Sequence, residues 1–282
     1  MLQEFFAALA DPSVPFIRYA LIAGLLSSVS FGIIGSFVVV KRISYIAGAI
    51  SHAALAGIGA ALYFKHVYGL DFLSPLHGAI VAALSAALII GLVSTYSNER
   101  EDTIIGSIWA IGMAVGLLFI ARTPGYVDPM SYLFGNILLV GRQELILILV
   151  LDLLVIVLSI LFYHQFLALS FDEEFTRLRG IPTRLYYVLL ILLIAVTVVL
   201  MVTVVGIVMV IALLTIPAAT AGLFSKKLWQ MMVLAGLFCA LFTSLGLGTS
   251  YVLDLPSGST TIVFAGIVYL GGLLFRRLKQ LT

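Results

Sequence analysis

Nine long apolar runs divide the chain, at roughly 17–40, 43–64, 75–96, 103–121, 143–163, 185–205, 207–224, 229–250 and 259–276. A helix that crosses the hydrocarbon core of a bilayer needs about 20 mostly apolar residues. Lipid offers the backbone no water to bond, so such a run must satisfy its own amides and carbonyls, as a helix does. The pattern predicts an all-α polytopic membrane protein, a single transmembrane domain over residues 1–282. Two of the runs meet at Gly206, where one of them could be a short or broken element, so the expectation is eight to nine crossings. Composition agrees: 10% of the 282 residues are charged and 62% are hydrophobic, against about 25% charged in a soluble domain. The first residues hold Glu4 and Asp11 and no Lys or Arg, unlike the basic start of a secretory signal peptide, so the first apolar span is expected to be retained.

Charge placement predicts the orientation, because loops on the cytoplasmic side are enriched in Lys and Arg. With the N-terminus outside and the C-terminus inside, the inner loops receive Lys41, Arg42, Arg100, Arg177, Arg179, Arg184, Lys226, Lys227, Arg276, Arg277 and Lys279. The outer segments receive only Arg18, Lys65, Arg122 and Arg142, four of the 15 cations. The net charge of +2 offers no broad basic face to nucleic acid. The single Cys239 excludes a disulfide framework or a thiolate metal cluster. The absence of a G-x-x-x-x-G-K-[ST] run means that any nucleotide-driven role borrows its P-loop from a partner.

Several segments stand out chemically. In KRISYIAGAISHAALAGIGAALY, residues 41–63, a helix rich in Gly, Ala and Ser carries His52 near its middle. Small residues let helices approach closely in lipid, and an ionisable residue at that depth points to a pathway. A neutral imidazole nitrogen suits a divalent transition metal; a packing histidine bonded to a neighbouring carbonyl or hydroxyl is the equal alternative. Asp152, within LVLDLLVI, reads either as a pathway carboxylate or as a buried hydrogen-bonding group. His77 reads as an outer-vestibule ligand or an interfacial residue, and His66 as a loop residue. The acids of ERED, from Glu99 to Asp102, suit the start of a helix. In RTPGYVDPMSYLFGNILLV, residues 122–140, Pro and Gly interrupt an aromatic stretch too apolar for a solvated loop, which suggests a folded-back gate. HQFLALSFDEEFTRLRGIPTR, residues 164–184, holds a short amphipathic pattern stopped by Gly180 and Pro182. It is a connecting helix or, with aromatics projecting, a docking element. Pro217 lies within an apolar run beside Thr215 and Thr220, which suggests an ordinary kink or one next to a pathway. Asp254, Pro256 and Gly258 form a turn, with Ser259 and Thr260 as candidate caps of the last helix.

In this order and spacing the segments resemble the zinc/manganese permease family of bacterial and archaeal ATP-binding-cassette importers. The resemblance covers nearly the whole chain. It is carried by GSFVVVKRISYIAGAISHAALAGIG, EDTIIGSIW, YLFGNILLV, FDEEFTRLRGI, VVGIVMVIALLTIPAATAGL and YVLDLPSGSTTIVFAGIVYL. It implies a metal-importer permease fold in the cytoplasmic (inner) membrane. It also implies a transport subunit that is not itself an enzyme, a cytoplasmic ATPase, an extracytoplasmic metal-binding protein, and a second permease copy in a homodimer. No cofactor is expected beyond the transported divalent cation. By the same resemblance, Phe171, Asp172, Glu173, Glu174, Phe175, Arg177, Arg179 and Gly180 form the ATPase-coupling loop. Tyr132, Leu133, Phe134 and Gly135 belong to the outer gate.

The chain departs from the family where members commonly carry an aspartate four residues before the histidine. Here that position is Gly48, and the proline that often follows is Ala56. The metal ligand is then His52, with Asp152, Asn136 and Asp128 as weaker candidates to replace the missing carboxylate. Loss of a hard oxygen ligand favours zinc over manganese. Three other readings are a permease for a metal chelate, which a wider route beside Gly48 would admit; an intramembrane enzyme using His52 and Asp152; and an ion-coupled secondary transporter.

Overall fold

A computed structural model describes residues 15–96, 100–125, 129–135, 137 and 140–281. Glu4, Asp11, Glu99, Asp128 and Asn136, all named above, lie outside the described residues. The elements are α1 (Pro15–Lys41), α2 (Ser44–Tyr68), α3 (Pro75–Tyr96), α4 (Glu101–Arg122), α5 (Pro129–Phe134), α6 (Arg142–Leu161), α7 (Tyr163–Phe171), α8 (Glu173–Leu178), α9 (Thr183–Val205), α10 (Ile207–Phe224), α11 (Leu228–Leu253) and α12 (Ser257–Leu281). Among the described residues nine of these are long and apolar enough to cross a membrane.

The two touching runs form separate helices that meet at Gly206. It takes φ +84° and ends α9, while α10 begins at the next residue. α10 runs through Pro217 without a break. Beside that proline, Thr215 and Thr220 donate to the carbonyls of Ile211 and Ile216, each at 2.8 Å. At the start of α12 the expectation fails. The helix already begins at Ser257, so Ser259 and Thr260 lie in its first turn instead of capping it, and Thr260 donates back to the Pro256 carbonyl at 2.8 Å.

α2 is the most deeply enclosed of the spans, followed by α1 and α9. α2 packs on α3, α4, α9 and α10; α1 packs on α6, α10 and α11; α12 closes against α10 and α11. The flanking α3, α4, α6 and α12 turn broad apolar faces outward, with Val81, Leu118, Ile160 and Leu270 all exposed. In a bilayer these are the surfaces that lipid or a neighbouring helix covers.

Backbone proximity explains why α2 is so small in composition. A Cβ on Gly112 of α4 would lie 2.8 Å from the Ala53 amide nitrogen, and one on Gly116 would lie 2.8 Å from the Leu55 carbonyl carbon. The two helices therefore run side by side with their backbones nearly touching, and dispersion across that contact holds them. Gly116→Val is expected to lower stability in detergent by about 1–3 kcal/mol through overpacking. Gly106→Ala on the same helix, where a Cβ meets nothing within 4 Å, should raise it by up to about 1 kcal/mol through helix propensity. Thermal unfolding of both variants checks this, and equal shifts would refute the packing argument.

Candidate functional site

His52 is the ionisable side chain that α2 carries into the middle of the bundle. It is buried, and among the described residues its Nδ1 has no hydrogen-bond partner. Buried polar atoms are almost always satisfied, so an imidazole nitrogen without a partner is available to a ligand. The alternative, a packing histidine bonded to a neighbouring carbonyl or hydroxyl, finds no such bond at Nδ1 among the described residues. What the imidazole does touch is Trp109 of α4, stacked at 4.8 Å between ring centroids with 28° between planes. The same indole lies over Gly48, where a Cβ would come within 2.2 Å of a ring carbon. The room beside Gly48 is therefore filled by the indole.

Asp152 occupies a different place. It is buried on α6, where Ser30 of α1 donates a hydrogen bond to its Oδ1, while Oδ2 has no partner. Ser159, two turns further along α6, is also buried with an unpartnered hydroxyl. Among the described residues no hydrogen bond or ion pair joins His52 to Asp152. No group of three or more His, Cys, Asp or Glu is gathered among the described residues in a way that could hold a metal ion. His66 bonds locally to the Leu62 carbonyl at 2.8 Å, and His77 to the Ser74 hydroxyl at 2.9 Å.

At one end of the bundle the segment 164–184 folds as α7 and α8. Asp172 caps α8 by accepting from the Phe175 amide at 2.8 Å, and Gly180, at φ +78°, follows its end. Phe171, Phe175 and Leu178 are exposed. Arg179 lies over the Phe175 ring at 4.7 Å. Glu173 pairs with Lys41 at the end of α1 at 2.7 Å, and the same ammonium donates to the Leu169 carbonyl at 3.1 Å. Lys41 also sits 5.6 Å from the centre of the Tyr187 ring on α9. Tyr187 in turn donates to Glu101 at the start of α4, which accepts from Ser94 of α3 at 3.0 Å. Side chains from α1, α3, α4, α8 and α9 thus meet at one end. Sequence reasoning missed Tyr187, Ser94 and Trp109, because nothing within one apolar run states which residue of another it will face.

The opposite end holds Tyr132, Leu133, Phe134 and Gly135. α5 packs on the α9–α10 junction: Gly135, at φ +64°, presses on Val205 and Gly206, where a Cβ would lie 2.2 Å from the Val205 carbonyl carbon. Gly258 at the start of α12 approaches the Phe134 carbonyl from another side. Two glycines at positive φ in contact leave no space for any other residue at either position. Burial raises the Tyr132 phenol above its ordinary pKa.

A family model described as the ABC 3 transport family matches residues 13–276. An uncharacterized membrane protein of Synechocystis, slr2045, is 46% identical over 263 residues, covering 93% of this chain and 91% of that one. The manganese transport system membrane protein MntC of Listeria monocytogenes is 36% identical, with 92% and 90% covered. The structure of PsaBC from Streptococcus pneumoniae in complex with a Fab superposes with a TM-score of 0.83 at 31% identity, covering 96% of this chain and 95% of that chain.

Asp152 is held at Oδ1 by a local bond from Ser30. Ser30→Ala is expected to cost about 1–3 kcal/mol, since it strips a buried carboxyl of its donor, and to leave ion uptake per folded molecule unchanged. Thermal unfolding alongside uptake corrected for folded protein checks this. Loss of uptake without loss of stability would return Asp152 to the pathway.

Proposed function

We propose a mechanism from a premise that the matches above establish: the chain belongs to the ABC 3 transport family, as the membrane-spanning permease subunit of a metal-transport system in the cytoplasmic membrane. The cargo is a divalent transition-metal ion, and His52 is the side chain that receives it on the way through. The observation that carries this reading is the imidazole nitrogen, buried mid-span and left without a partner. One imidazole with water holds an ion weakly, and a conduit needs a site weak enough to leave.

Zinc is the proposed preference. A lone imidazole suits zinc, while manganese favours oxygen ligands, and position 48 supplies none. The Listeria relative is named for manganese, so uptake of the two ions in competition is the deciding assay.

ATP hydrolysis takes place on a partner ATPase, a second permease copy completes a homodimer, and an extracytoplasmic binding protein delivers the ion. The coupling element is Phe171–Gly180, whose exposed Phe171, Phe175 and Leu178 give a groove on the ATPase something apolar to grip. Movement of this element reaches the bundle through Glu173 and Lys41, and then through Tyr187 and Glu101 to α4, the helix that bears Trp109. The orientation is the one that the cations predict: the end with Lys41 and α8 faces the cytoplasm. Tyr132, Leu133, Phe134 and Gly135 then lie outside and gate the route where α9 turns into α10.

Two outcomes test this. His52→Ala, assembled with its ATPase, is expected to lose at least tenfold in zinc uptake while still folding. Undiminished uptake would remove His52 from the route. Lys41→Glu is expected to uncouple ATP hydrolysis from uptake, and the double variant Lys41→Glu with Glu173→Lys to restore coupling. The half-exposed pair is worth only about 0–1 kcal/mol, so thermal stability should barely move in either variant. A double variant as uncoupled as the single one would deny the pair its role.

A further inference from the structure

Positions 48 and 52 lie one turn apart on the same face of α2. A side chain at 48 would therefore stand beside the His52 imidazole, at the natural place for a second ligand. The protein puts no atom of α2 there. It fills the place from α4: the Trp109 ring approaches to 2.2 Å, 2.5 Å and 3.0 Å of where a Cβ on Gly48 would be. The same ring lies flat on the imidazole, 4.8 Å between centroids. α4 is held close to α2 at this level: one turn further on, a Cβ on Gly112 would lie 2.8 Å from the Ala53 amide nitrogen and 3.0 Å from the His52 carbonyl carbon. The indole and any side chain at position 48 are mutually exclusive occupants of one space.

We propose that Trp109 is the specificity-determining residue of the His52 site, excluding a second side-chain ligand so that a passing cation meets one imidazole, water and an aromatic face. The inference rests on the reading of His52 as the cation-receiving residue, and it adds the reason for the ion preference. Ions that bind well through an imidazole nitrogen keep most of their affinity at such a site. Ions that depend on oxygen donors lose what a carboxylate at 48 would supply. Trp109 is only partly buried, at the flank of the bundle.

Four full-length chains, each assembled with the ATPase, test the proposal: the parent, Gly48→Asp, Trp109→Ala, and the double variant. Gly48→Asp alone is expected to give less folded protein, since the ring leaves it no room. Removing the indole makes that room, so the double variant should recover folded yield and shift the manganese-to-zinc uptake ratio at least tenfold towards manganese. A double variant with the parent's ratio would overturn the proposal, as would Gly48→Asp alone folding well and shifting the ratio as far as the double.

A second measurement does not require these variants to fold. The chain has two tryptophans, and Trp229 is exposed on α11, so Trp229→Phe leaves Trp109 as the sole indole emitter. Zinc added to the purified chain should change its emission, and the change should vanish on adding His52→Ala. No change with zinc would overturn the proposed contact. The two failures are separable: full uptake by His52→Ala sinks the role of His52, whereas lost uptake there with an unshifted ratio in the double variant sinks Trp109 alone.

Discussion

The near-contact of the α2 and α4 backbones at Gly112 and Gly116 constrains most of what surrounds it. In lipid, apolar surfaces gain little by leaving their solvent, so helices associate where backbones can come close. That closeness brings α4 against Ala53 and Leu55, and it delivers Trp109 onto His52 and Gly48 as a consequence of register. α2 is consequently walled in by α3, α4, α9 and α10, with its histidine at the centre of the wall. The site is built from packing first; its chemistry is what the packing leaves unsatisfied.

The two ends of the bundle differ in kind. One is joined by charge and hydrogen bonds: Glu173, Lys41, Tyr187, Glu101 and Ser94 link five helices through long side chains. Such bonds exchange partners at small cost, which suits an end that has to move. The other is joined by backbone: Gly135, Gly206 and Gly258 pack without side chains between them. Contacts of that kind are either made or broken, with little between, because packed interfaces do not deform continuously. Under the function proposed above, the first end is the lever, the second the closure, and His52 lies between them.

The spans were legible in the sequence because lipid forces them; length and hydropathy alone locate nine helices to within a few residues. α8 was legible too, since Gly180 with Pro182 makes a clear stop. His52 was visible as an ionisable group at the wrong depth for a structural loop. The helix faces were not legible. In a soluble protein, alternation of polar and apolar residues says which side of a helix is inside. Here the lipid-facing and buried sides are both apolar, so rotation of each helix leaves no trace in the pattern. Trp109 therefore looked like one more residue of an apolar run, and Gly48 looked like a gap when it is a seat for the indole. The pairs Ser30 with Asp152 and Tyr187 with Glu101 were hidden for the same reason.

The central claim is that the cation binds this chain through His52. Anomalous scattering from zinc, recorded from crystals of the chain assembled with its ATPase, tests it most directly. The account predicts a zinc peak about 2.0–2.1 Å from the His52 imidazole nitrogen, with water and no carboxylate of α2 completing its shell. A zinc peak in the membrane-spanning region that lies away from His52, against Asp152 and Ser159 for example, would contradict it.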